Sequence, residues 1–202
     1  MRGCRRGPAP DLLATHGPEV GATYASKRRE TPRHRFQWPR RDGQSLYAVT
    51  RAALSEMTQQ RCSYCDGFPL NATGKDEIDH FRPKTIEEFY ELVCAWENLF
   101  LICSACNRAK RDQWDVALLR PDVAEYAFDR FFFFRFDTGE LQPAPRLTAD
   151  ERHRVIRTIA ILDLNRDDAC VARLKTIKEI QRRASDDELA SVAYRFLIPL
   201  CA

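Results

Sequence analysis

Apolar residues follow two rhythms along this chain. Between Ser45 and Gln60, Leu46, Val49, Ala53, Leu54 and Met57 recur at three- and four-residue steps, which predicts an amphipathic helix. Pro69, Asn71 and Gly74 then mark a loop. Glu77-Ile78-Asp79-His80-Phe81 reads as a short strand ended by Pro83, and Asn98 to Cys103 as a second, buried strand. Between them Thr85 and Glu88 have capping-box spacing, so a helix is expected through Phe89 and Leu92. Another helix is expected from Ala105 to about Asp112. The local order is strand, connection, strand, helix.

Beyond residue 118 the pattern changes. Phe131 to Phe134, Phe136, the turn Asp137-Thr138-Gly139 and then Glu140 predict a hairpin, its phenylalanines serving the core. Thr148 and Glu151 form a second capping box, opening a helix with Val155, Ile156, Ile159, Ala160 and Leu162 on one face. Asn165 is expected to cap a helix to about Ala184, and Ser185 a last one ending near Pro199. Residues 1–41 hold five of the eleven prolines, and the run Thr31 to Arg41 mixes basic and aromatic residues. An extended arm, anchored on the body by Phe36 and Trp38, is expected there. The chain therefore divides into an arm (1–44), a core (45–117) and a hairpin with a mainly helical extension (118–202), an α+β arrangement.

Charge sharpens this division. The net charge of +3 hides ten Lys/Arg against three Asp/Glu in residues 1–41, while the rest of the chain is mildly acidic. A basic arm on an acidic body suits a polyanion, because Lys and Arg release counterions condensed on a phosphate backbone. The longest stretch free of Asp, Glu, Lys and Arg is Asn98 to Asn107, too short for a membrane span. The N-terminus has no apolar segment after its charges, so no secretory signal is expected and a cytoplasmic location is.

Cysteine spacing adds chemistry. Cys62-Ser-Tyr-Cys65 and Cys103-Ser-Ala-Cys106 are two CxxC pairs, each able to present two thiolates along one edge of a tetrahedron. Together they predict a Cys4 zinc site with a structural role, since four thiolates leave no position for water. Cys4, Cys94, Cys170 and Cys201 lack partners at ligand spacing and read as ordinary thiols. Between and beside the pairs fall Asp79-His80, Asn98 and Asn107-Arg-Ala-Lys110, in that order.

With these residues the chain resembles the HNH endonucleases, whose ββα-metal core is often braced by two CxxC pairs. The segments Ile78-Asp-His-Phe-Arg-Pro-Lys84, Trp96-Glu-Asn-Leu99 and Cys103 to Lys110 look most like the HNH subunits of Septu-type and retron-associated anti-phage systems. The resemblance implies a zinc-braced core that hydrolyses DNA to 5′-phosphate and 3′-hydroxyl ends, in defence, beside an ATPase subunit. It implies His80 as general base, a role an imidazole fills near neutral pH. Asp79 and Asn107 would hold a catalytic Mg²⁺ or Mn²⁺, with Glu77 in reserve, and Asn98 would hold the loop that bears the base. Lys110 or Arg108 would meet the scissile phosphate, and Arg82 and Lys84 the backbone. In a regular strand Asp79 and His80 face opposite ways, so the strand is expected to break there. Two other readings stay open: an RNA substrate such as tRNA, and a zinc-ribbon module that binds nucleic acid without turnover.

Overall fold

The computed structural model describes residues 2–70, 75–182 and 189–201. Its first element corrects the expectation of an extended arm: Asp11–Glu30 form a 20-residue helix, α1. Pro10 immediately precedes it with φ −56°, where a missing N–H costs nothing, and Pro18 is carried inside. The buried face of α1 is Leu13, Gly17, Val20, Gly21, Tyr24 and Ala25, a helical spacing in which two glycines carry no hydrophobic signal. Those glycines are there for contact. A Cβ on Gly17 would lie 2.9 Å from the Cys94 carbonyl oxygen, and one on Gly21 2.3 Å from that of Glu91. Residues 2–10 and 31–39 of the arm lie outside helix and strand; β1 (Arg40–Arg41) and β2 (Gln44–Ser45) then form a tight hairpin.

Helix α2 (Leu46–Thr58) follows at the predicted place, with the Ser45 hydroxyl accepting the Ala48 N–H at 3.3 Å. Strands β3 (Asp76–His80) and β4 (Leu99–Cys103) pair antiparallel from Asp76↔Cys103 to His80↔Leu99. Leu99, Phe100, Leu101 and Ile102 are all fully buried, so β4 is covered on both faces and shows no alternation. Helix α3 (Ser104–Lys110) continues directly from β4. The expected helix between the strands is a 3-10 helix, Glu87–Cys94, and no side chain caps it. Thr85 lies one residue too early, inside a turn closed by the Ile86 N–H on the Pro83 carbonyl at 3.2 Å.

Helix α4 (Phe128–Phe131) leads into the hairpin β5 (Phe132–Phe134) and β6 (Leu141–Pro143). Phe131, Phe132 and Phe134 are buried and Phe133 is exposed, as strand alternation requires. The Thr148/Glu151 capping box opens α5 (Ala149–Leu162) as expected, although Ile156 faces solvent. Asn165 does not cap α6 (Asp167–Ile180). Its amide instead bonds both backbone groups of Leu141, at 2.8 and 2.9 Å, tying the α5–α6 corner to β6. The expected boundaries at Asn71, Gly74, Ala184 and Ser185 lie outside the described residues. Val192, Tyr194, Phe196 and Leu197 join the same buried cluster as Leu13 and Leu101. No described helix is long and apolar enough to cross a membrane.

Candidate active site

The four CxxC cysteines converge because one pair sits in the turn after α2 and the other spans the β4–α3 junction. Their sulfurs all lie within 4.8 Å of one another, and those of Cys65 and Cys103 are 3.8 Å apart. A tetrahedron with Zn–S bonds of about 2.3 Å has an edge of about 3.8 Å. None of the four is in a disulfide, and the donor set fits zinc with every coordination position taken. Four thiolates around Zn²⁺ leave a net −2, and the Arg166 guanidinium is the nearby countercharge. Burial pulls its pKa down, but the Cys106, Cys65, Asp168 and Cys103 charges prevail and raise it. The first turn is also clasped by the C-terminal segment. Arg61 donates to the Val192 and Ala190 carbonyls at 2.5 and 2.6 Å, and Asp66 accepts the Arg195 N–H at 2.6 Å.

Beside this brace a cleft of about 330 Å³ is lined by residues 77–80, Pro83, Lys84, Asn107, Arg108, Arg111 and Asp112. Strand β3 does not break at Asp79-His80, contrary to expectation. Its ladder continues one step further, through the Phe81 N–H on the Asn98 carbonyl at 2.9 Å. Among the described residues β3 pairs only with β4, which leaves its other edge unpaired, and four consecutive residues reach one cleft along it. The bend comes afterwards, where Asn98 clamps the chain. Its Oδ1 accepts the Arg82 N–H at 2.8 Å, and its Nδ2 donates to the Arg82 and Leu92 carbonyls, both at 3.1 Å.

On one face of β3, Asp79 is buried. Its Oδ2 accepts the Tyr64 hydroxyl at 2.6 Å and its Oδ1 the Lys110 ammonium at 3.1 Å. Lys110 is wholly buried and also donates to the His80 carbonyl at 2.8 Å, so it points inward and not at a phosphate as expected. On the other face, His80 is buried with Nε2 3.0 Å from the Val93 carbonyl oxygen. A carbonyl only accepts, so Nε2 carries the proton and Nδ1 is left as the basic nitrogen. Desolvation, reinforced by the charges of Lys84 and Lys110, lowers the His80 pKa to about 3, and the ring is neutral at working pH. Asn107 donates from Nδ2 to Glu77 Oε2 at 2.6 Å, which leaves its Oδ1 unused by that bond.

Lys84 and Arg108 line the cleft, whereas the Arg82 guanidinium lies over the Phe89 ring. Sequence reasoning missed Tyr64, which nothing but its place inside a CxxC turn marks, and Arg111, just past the end of α3. It also missed the rings of Phe36 and Trp38 against His80, with centroids at 6.0 and 6.4 Å.

A two-stranded ribbon, a following helix, a four-cysteine brace and an Asp-His/Asn pair at the ribbon's end make up an HNH domain, and residues 62–113 match the HNH endonuclease family. The chain is also similar to Septu protein PtuB of Bacillus mycoides (strain KBAB4), 33% identical over 72 residues, 30% of this chain and 24% of that protein. Septu protein PtuB of Bacillus thuringiensis is 32% identical over 75 residues, 36% of this chain and 28% of that protein. The chain thus spans about a quarter of the length of the curated relatives it matches.

Proposed function

We propose that the protein is a metal-dependent endonuclease that hydrolyses DNA phosphodiester bonds at the cleft along β3. The carrying observation is His80: buried and held through Nε2 by the Val93 carbonyl, so that Nδ1 is the nitrogen able to take a proton from an attacking water. Asp79 and Asn107, with Glu77 in reserve, offer the oxygen donors that Mg²⁺ or Mn²⁺ prefers. Each Asp79 oxygen accepts one hydrogen bond and keeps a lone pair that an ion could use. When bound, such an ion supplies Lewis-acid stabilisation of the developing charge on the leaving oxygen. Asn98 holds the chain beyond His80, and Lys110 fixes the Asp79 carboxylate; both are positioning residues. Arg108, Lys84 and Arg111 supply positive charge at the mouth of the cleft.

Similarity to Septu protein PtuB supports a role in anti-phage defence, alongside an ATPase subunit. The apolar stretch 192–198 is largely buried in this chain's own core.

The test is nicking of supercoiled plasmid by purified protein with Mg²⁺ or Mn²⁺, beside the His80→Ala variant and a chelator control, with structured RNA in parallel. Nicking that is lost in both controls supports the proposal. Cleavage of RNA alone would replace the substrate, and binding without cleavage of either would leave a non-catalytic module.

A further inference from the structure

A second cavity, of about 360 Å³, lies between α1 and residues 34–41, on the arm's side of His80. Its lining includes Tyr24, Phe36 and Trp38 together with Lys27, Arg35 and Arg41, and no carboxylate. Among the described residues Lys27 and Arg35 make no ion pair, so their charge is available to a ligand. The aromatic rings are braced edge to face: Tyr24 to Phe36 at 5.5 Å and Phe36 to Trp38 at 5.1 Å. This ladder ends on the proposed base, with Trp38 nearly parallel to the His80 ring at 26° and 6.4 Å.

Braced aromatic faces edged by unpaired cations, one ring away from the nucleophile-activating residue, match one chemical class. A nucleobase has a π-face that stacks on such rings, and its flanking phosphates meet the cations. We propose that this cavity is a subsite for an unstacked nucleobase next to the cleaved phosphodiester, so that the enzyme favours single-stranded or locally opened substrate. A base paired and stacked within a duplex does not present its face to the cavity. The subsite deepens the nuclease reading, on which it rests for the role of His80.

The test is a binding measurement on the whole 202-residue chain loaded with zinc, at low salt and without added divalent ion, so that cleavage plays no part. The probes are a fluorescent twelve-residue thymidine strand and an abasic strand of equal length and charge. Wild type is expected to bind the thymidine strand at least about tenfold more tightly, the order that base–aromatic stacking supports. Trp38→Ala should bring the two affinities together while leaving the abasic strand within about twofold of wild type; Arg35→Gln should weaken both. Equal affinity of wild type for the two strands would overturn the subsite, as would a Trp38→Ala protein that keeps the full ratio.

Where Trp38→Ala fails to fold, quenching of 2-aminopurine in a single strand by wild type replaces it. Unquenched fluorescence at saturation counts against stacking. Base-dependent binding without cleavage of plasmid, single-stranded DNA or RNA would leave the subsite standing and remove the nuclease reading; cleavage without base preference would do the reverse.

Discussion

At the scale of single residues, Asp79 and His80 are chain neighbours with separate surroundings. Asp79 is built into an internal triad with Tyr64 and Lys110, and His80 is wedged between the Val93 carbonyl and the arm's aromatic rings. His80→Ala should lower cleavage by about a hundredfold to ten-thousandfold, the usual contribution of a general base, with zinc content unchanged. Lys110→Ala separates the buried role from a phosphate contact. Losing one partner of a buried ion pair costs roughly 3–5 kcal/mol, so urea denaturation should show a clear loss of stability. A fully stable Lys110→Ala protein would return Lys110 to the phosphate.

At the scale of elements, the contact of α1 with the 3-10 helix Glu87–Cys94 matters most, because that helix also carries the Val93 carbonyl that orients His80. Gly21→Ala forces a methyl group into backbone and should cost about 1–3 kcal/mol, whereas Gly7→Ala, with nothing within 4 Å, should be neutral by thermal melting. Close by, Arg6 reaches from the chain's start to Asp122 at 2.7 Å and to the Trp96 and Leu99 carbonyls. Burial alone would raise the Asp122 pKa, but hydrogen bonds from Arg120 and Arg6 outweigh it and hold the carboxyl below its usual 3.8. The unfolded chain therefore binds this proton first as pH falls. The stabilisation is complete above about pH 4 and is lost as pH drops through 3.8 toward the lower folded value. Asp122→Asn should remove that part of the acid sensitivity, read as the difference from wild type in denaturation between pH 3 and 6.

For the whole molecule, the four-cysteine brace and the arm are joined to one core. The Cys4 site fixes the turn after α2 to the β4–α3 junction, and the C-terminal segment closes over it through Arg61 and Asp66. Structural zinc contributes on the order of 10 kcal/mol, so Cys103→Ser should lose metal and fold together. A well-folded, zinc-free Cys103→Ser protein would remove the Cys4 assignment. Deleting residues 1–41 does not isolate the arm's charge, because it also removes Leu13, Val20 and Tyr24 from the core.

What the sequence by itself determined is local and chemical. CxxC spacing marks two ligand pairs whatever surrounds them, the strand–strand–helix order follows from short-range pattern, and Asp79-His80, Asn98 and Asn107 are identifiable by type and order. Tertiary structure decided what depends on approach and burial. The face of α1 that packs on the 3-10 helix includes two glycines, which add closeness but no apolar signal, so a proline-rich segment read as extended. Asn165 and Thr85 have capping chemistry, but one found Leu141 and the other a turn. Lys110 is a basic residue near a phosphate site by sequence, and a buried partner of Asp79 once α3 lies across β3. Which polar group meets which is set by packing between distant segments, and local spacing carries no record of it.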